Sequence, residues 1–256
     1  MTKVAASAAA AVADITSGSS LAVGGFGLCG IPDALIDALA AREVTDLEVI
    51  SNNCGTDAHG LGILLADKRI RRITASYVGE NSEFARQYLA GELEVELTPQ
   101  GTLAEKLRAG GAGIPAFFTP AGVGSPVADG GLPWRYAADG SVAVASPAKE
   151  VRTFGGGWGE RRYVLEEALT ADFALVHARI GDTEGNLVFE KSARNFNPLA
   201  AMAGRCCIAQ VEYMVPAGDL DPARIHLPGV FVDRVVHTGP QLKHIEKRTV
   251  AQEQST

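Results

Sequence analysis

No stretch of these 256 residues strings together the ~18 apolar side chains that a membrane-spanning helix requires. Cysteine is scarce, with Cys29, Cys54, Cys206 and Cys207 the full complement. An adjacent pair makes a poor disulfide framework, and no Cys-x-x-Cys or His/Cys spacing marks a zinc site. A reducing compartment follows from this, and no metal is expected. Positive charge is also in deficit. The formal net charge of -7 argues against a general nucleic-acid or anionic-membrane role, while leaving room for a local basic pocket. The N-terminal run 5–12 is nearly all alanine. It is too low in Leu, Ile and Phe for a secretory core and lacks the arginines of a transit peptide. Together these absences predict a cytoplasmic location. A long linker and an internal repeat are missing too. One domain over residues 1–246 is expected, with a polar, fraying tail at 247–256.

What is present is an alternation of strand-like and helix-like segments. Hydrophobic residues make up 46% of the chain, enough for a substantial core. Alanine's helix propensity makes residues 5–15 the first helix. The apolar triplet Leu21-Ala22-Val23 reads as a strand, the run 24–30 as a glycine loop, and PDALIDALA as a helix with Pro32 at its first position. LEVIS, RITASYV and LEVELT are further strands. LGILLADKR, NSEFARQYLAG and TLAEKLRAGG are helices, the last opened by a capping box of Thr102 and Glu105. This alternation predicts an α/β fold, an open and mainly parallel sheet with helices on both faces. Residues 110–160 break the pattern. They are dense in glycine and proline around an Asp-Gly turn, which predicts an irregular insertion with a small antiparallel flap. Within it, Gly155, Gly156 and Gly157 before Trp158 read as a turn. DFALVHARI, FNPLAAMAGR and CCIAQVEYMV then return to the opening style.

Several loops carry chemistry. In 24–30, four glycines (Gly24, Gly25, Gly27 and Gly30) alternate with Phe26, Leu28 and Cys29. Between a strand and a helix, such a loop brings backbone N–H groups toward an anion, at the strand end where α/β folds bind ligands. A tight structural turn is the other use of the same residues. It is neither a Walker A loop nor a dinucleotide fingerprint: no Gly-Lys-Ser/Thr follows, and GGFGLCG has the wrong glycine spacing. Asn52 and Asn53 end the second strand and offer two amides, to a ligand or to a turn. Gln100, held between Pro99 and Gly101 at another strand end, offers an amide to an oxygen that develops negative charge, or caps a turn. His59 titrates near neutrality, with no partner that the sequence identifies. Glu94 and Glu96 share a strand face, either as a carboxylate pair or as a solvated edge. Arg69, Arg71 and Arg72 form a small basic cluster. Cys29 and Cys54 sit in the two loops with no histidine adjacent in sequence. No nucleophile–base set emerges, so a bound group or a partner chain must supply the chemistry.

Taken in this order, the residues resemble the A half of the family I coenzyme A transferases. The likeness begins with Leu21-Ala22-Val23, Gly24-Gly25-Phe26, Gly30 and Pro32, with Ser17 where the family pattern carries Asp or Asn. It continues through SNNCG at 51–55, SYVGEN at 76–81, ELTPQGTLAEKLRAGGAGIPAFFTP at 96–120 and KSARNFNP at 191–198, and covers the chain to about residue 245. The resemblance implies transfer of coenzyme A from an acyl thioester to a free carboxylate, by a ping-pong route through a glutamyl-CoA thioester. The nearest branch acts on succinyl-CoA and acetoacetate. The glutamate is implied to lie on a B subunit, near a Glu-Asn-Gly motif that this chain lacks; Glu80-Asn81-Ser82 is the nearest string. By the same resemblance, Gly24, Gly25, Phe26, Gly27, Leu28, Cys29 and Gly30 bind CoA, Gln100 is an oxyanion-hole donor, and Asn52 and Asn53 line the cleft. Coenzyme A is then a substrate rather than a resident cofactor, and the assembly a heterotetramer of two A and two B chains. Relatives on the same scaffold use acetate or 3-oxoadipate as acceptor. One reading from another class stays open on pattern alone: a non-catalytic phosphate or sugar-phosphate binding protein on the same fold.

Overall fold

A computed structural model describes residues 2–157 and 159–244. The first part alternates: α1 (Ala8–Ala11), β1 (Ser20–Val23), α2 (Asp33–Ala40), β2 (Leu47–Ile50), α3 (Gly62–Ala66), β3 (Ile70–Ala75), α4 (Ser82–Leu89), β4 (Glu94–Leu97) and α5 (Gln100–Gly111). The middle holds β5 (Ala116–Thr119), α6 (Pro126–Asp129), β6 (Pro133–Tyr136), β7 (Val142–Ala145), β8 (Val151–Phe154) and β9 (Arg161–Glu167). The last part adds β10 (Ala171–Asp182), β11 (Leu187–Val188), α7 (Asn197–Ala203), β12 (Gly204–Val215) and β13 (Arg234–His237). The main sheet runs β13-β12-β10-β1-β2-β3-β4 in parallel, with β11 antiparallel on β10. The middle strands form an antiparallel trio, β5-β9-β8, and the hairpin β6-β7. The predicted parallel sheet with an antiparallel flap is therefore present. Trp158 and the tail at 247–256 lie outside the described residues.

The sheet is covered on both faces, which is why its strands read as apolar runs. Leu21, Val23, Leu175, Ile208 and Val236 turn toward α1, α2, α3 and α4. Their strand neighbours Ala22, Ala174, Val176, Cys207 and Val235 turn toward α5 and α7. Because the strands are parallel, the loops after β1, β2, β3 and β4 gather at one rim, the place where such sheets bind ligands.

Four sequence expectations change. The first helix covers Ala8–Ala11 and not 5–15, because the chain start is drawn to the sheet edge: Ala5 N donates to Val235 O and Val235 N to Lys3 O. Pro32 stands one residue ahead of α2 as its N-cap. Thr102 and Glu105 form no capping box, since α5 starts two residues earlier with Pro99 ahead of it. Thr102 Oγ1 is buried without a hydrogen-bond partner among the described residues, and Glu105 pairs with Arg108 at 2.8 Å. The chain also contains a repeat that the sequence hides. Phe26 and Cys29 exchange backbone hydrogen bonds across a four-residue turn, and Thr56 and His59 do the same after β2. Positive-φ glycines flank both turns, at Gly25 and Gly30 and at Gly55 and Gly60. Only the glycines recur in sequence.

The charged strand residues are committed elsewhere than a catalytic pair. Arg72 reaches both Glu94 and Glu96, the latter at 2.8 Å, and Lys106 stands 3.4 Å from Glu96. Arg71 pairs with Glu48, and Arg69 lies 3.5 Å from Asp67. Neither the solvated edge nor a phosphate clamp describes these residues.

Candidate active site

Gln100 opens α5 at the rim and is exposed, while Asn52 and Asn53 are buried at the end of β2. The fold brings them together. Gln100 Nε2 donates to Asn52 Oδ1 at 2.8 Å and lies 3.4 Å from Ser76 Oγ. Ser76, the residue after β3, donates its hydroxyl to Asn52 Oδ1 at 2.8 Å. Asn53 Oδ1 accepts the Gly27 N–H of the glycine loop at 3.0 Å. Asn53 Nδ2 is buried with no hydrogen-bond partner among the described residues. Three strand ends thus deliver neutral hydrogen-bonding side chains to one spot, beside the loop. Sequence reasoning missed Ser76, because a lone serine after a strand carries no signal until a partner 24 residues away is known.

The glycine loop is held from its other side by the segment before α7. Asn197 Nδ2 donates to Gly30 O and Ala193 O, each at 2.9 Å, while its Oδ1 accepts the His177 N–H at 2.9 Å. Asn195 Nδ2 donates to Cys29 O at 2.9 Å. Gly24 must be glycine for this contact: a Cβ there would collide with Asn197 Oδ1. Four loop N–H groups, those of Gly24, Phe26, Gly27 and Cys29, are bonded within the protein. The loop therefore works chiefly as a braced wall whose side chains face outward.

That wall bounds a cleft of roughly 640 Å³, within the usual size of small-molecule sites. Phe26, Leu28, Cys29 and Ile31 line one side, and His177, Arg179, Lys191, Glu212, Lys243 and His244 the other. Glu212 is buried and has three basic neighbours: His177 Nε2 at 3.3 Å, Lys243 Nζ at 3.4 Å and Arg179 at 3.7 Å. Burial lowers the His177 imidazole below its ordinary value, against the pull of Glu212. Asp33, also on the cleft, is raised to about 6, first by burial and then by Asp37. His59 has a partner after all, its ring stacking on His244 with centroids 3.6 Å apart. Cys54 is fully buried, and burial pushes its thiol up, away from a reactive thiolate. Among the described residues no cluster of His, Cys, Asp and Glu could hold a metal, and no helix is long and apolar enough to cross a membrane.

Comparison with known proteins supplies the lineage. Residues 5–238 match the family described as Coenzyme A transferase. A Mycobacterium tuberculosis protein, named as the probable A subunit of a succinyl-CoA:3-ketoacid coenzyme A transferase, is 67% identical over 252 residues, 98% of this chain and 100% of that one. The A subunit of the Xanthomonas campestris pv. campestris succinyl-CoA:3-ketoacid coenzyme A transferase is 57% identical over 248 residues, 96% of this chain and 93% of that one. Among solved structures, an acyl-CoA transferase apoenzyme from Escherichia coli O157:H7 matches with a TM-score of 0.75 and 24% identity over 93% of this chain. This chain spans 47% of that enzyme, about half its length. Glutaconate coenzyme A-transferase from Acidaminococcus fermentans matches with a TM-score of 0.74 and 21% identity, over 93% of this chain and 76% of that one. These two structures share the fold. On the family match and the identities across nearly its whole length, the chain belongs to the coenzyme A transferase family.

Proposed function

We propose that this chain is the A half of a heteromeric 3-oxoacid CoA-transferase, completed by a B subunit that brings a glutamate to the rim of the sheet. One observation carries the reading. The cluster of Gln100, Asn52, Asn53 and Ser76 offers amide and hydroxyl groups but no carboxylate. Such a cluster stabilises developing negative charge and cannot attack a thioester itself. The names of the Mycobacterium and Xanthomonas relatives, each one half of a two-part enzyme, support the same division of labour.

The B-subunit carboxylate attacks the thioester carbonyl of succinyl-CoA, and the C–S bond breaks to give a mixed anhydride and the CoA thiolate. The thiolate attacks the glutamyl carbonyl. The anhydride C–O bond breaks, succinate leaves, and a glutamyl-CoA thioester remains. Acetoacetate then attacks this thioester and expels the thiolate. The thiolate takes the acetoacetyl group from the new anhydride and frees the carboxylate. Each addition turns a carbonyl into an oxyanion, and the Gln100 amide is the donor for it. The cleft suits the CoA side: Phe26, Leu28 and Ile31 offer apolar walls to the pantetheine arm, and Arg179, Lys191 and Lys243 offer positive charge to phosphates. Two A and two B chains in a cytoplasmic setting complete the proposal.

The test is reconstitution with a second chain that carries the Glu-Asn-Gly motif. Acetoacetyl-CoA should form from succinyl-CoA and acetoacetate with the pair and with neither chain alone. Full-rate transfer by the isolated chain would sink the split-site reading. Preference for acetate or 3-oxoadipate would reassign the acceptor.

A further inference from the structure

The Gly27 N–H, Asn53, Asn52 and Gln100 form a chain in which only the first member has a fixed polarity. A backbone N–H donates and cannot be reversed, whereas a side-chain amide can turn end for end. The 3.0 Å bond from Gly27 N therefore fixes Asn53 with Oδ1 toward the loop. The same oxygen faces Asn52 Nδ2 at 3.5 Å. Reversing Asn52 would set two carbonyl oxygens against each other in a buried site, where such an opposition is strong. Asn52 thus presents Oδ1 on its far side. Its two lone pairs there receive the Ser76 hydroxyl and Gln100 Nε2, both at 2.8 Å. Gln100 must in turn direct nitrogen, not oxygen, toward the cluster. Ser76 donates or accepts with equal ease, so it follows the direction of Asn52 and does not set it. Gln100 itself is exposed at the start of α5, so burial does not impose an orientation on its amide.

We propose that Asn53 and Asn52 are positioning residues that carry the polarity of the Gly27 N–H to Gln100, so that the glycine loop sets which end of the Gln100 amide meets the reacting oxygen. This rests on the reading of Gln100 as the oxyanion donor. It also couples the two sides of the loop: a ligand that shifts Phe26 or Leu28 from the cleft side moves the Gly27 N–H, and with it the donor.

The test uses the full-length chain, free for spectroscopy and paired with its B subunit for kinetics. Asn53→Leu removes Oδ1 at similar volume, and Asn53→Asp keeps an oxygen toward both Gly27 and Asn52. In Asn53→Leu the two Gln100 Nε2 proton resonances should collapse toward a common shift. The kcat should fall about 10²-fold with KM held, as for a reacting group displaced by a fraction of a bond length. Asn53→Asp should restore both. Unmoved Gln100 resonances in Asn53→Leu, or no restoration by Asn53→Asp, would overturn the relay. Should Asn53→Leu fail to fold, Ser76→Ala decides: the relay requires the Gln100 resonances to stay separate, and their collapse would assign the direction to the serine. Resonances that collapse while kcat holds would keep the relay and remove Gln100 from the chemistry.

Discussion

Gln100 combines exposure with a directed hydrogen bond, which is the profile of a group kept for a ligand and not for stability. Gln100→Ala should lower turnover of the reconstituted enzyme by about 10²–10³-fold, with the unfolding midpoint in urea unchanged. Equal loss of turnover and stability would mark it as structural. Gly24 predicts the opposite pattern. Gly24→Ala drives a methyl into Asn197 Oδ1, and Asn197 cannot yield without releasing Gly30, Ala193 and His177. Overpacking of this kind costs about 1–3 kcal/mol, and chemical denaturation should show it before any assay does. Gln100, Asn52 and Asn53 were legible from sequence because strand-end amides in an α/β chain fall at the ligand rim. Asn197 was not, since its partner Gly30 lies 167 residues away.

At the level of elements, a buried ionic network ties the antiparallel middle to the main sheet. Lys106 of α5 lies 3.4 Å from Glu96 of β4 and 3.5 Å from Glu166 of β9, and all three are buried. Lys149 joins Glu166 at 2.7 Å, and Arg72 joins Glu96 at 2.8 Å. Lys106→Met should destabilise by about 3 kcal/mol, the low end for a broken buried pair, because Lys149 and Arg72 remain to hold the two carboxylates. Urea denaturation of the single and of Lys106→Met with Glu96→Gln would check it, the second change recovering part of the loss. No loss in the single variant would show the network to be dispensable. From sequence, Glu94 and Glu96 were readable as neighbours on one face, but their cations come from other elements. The same reason shortens α1: alanine propensity favours a longer helix locally, and pairing of Lys3 and Ala5 with Val235 overrides it.

For the whole molecule, the cleft gives stability a pH dependence. The Asp33 carboxyl is raised from 3.8 to about 6, first by burial and then by Asp37, with His244 pulling the other way. The folded protein therefore keeps a proton that the unfolded chain releases. This contribution is complete below pH 3.8, declines as pH rises, and is lost through about 6. Asn mimics the protonated form, so Asp33→Asn should flatten this part of the profile and gain stability relative to the parent near neutral pH. Parallel profiles for the two proteins, measured by denaturation across that window, would contradict it. The parallel α/β architecture was already written in the residue pattern, since strands covered on both faces must read as apolar runs between helices. So was the choice of loops that reach the ligand rim, since strand direction fixes it. Everything else waited for the folded chain. Folding paired Gln100 with Asn52, set Asn197 behind the glycine loop, gathered His177, Arg179, Glu212 and Lys243 on one cleft, and hid a repeated turn under unlike side chains. Those contacts join residues far apart in the chain, and local pattern holds no record of which distant side chain will close each hydrogen bond.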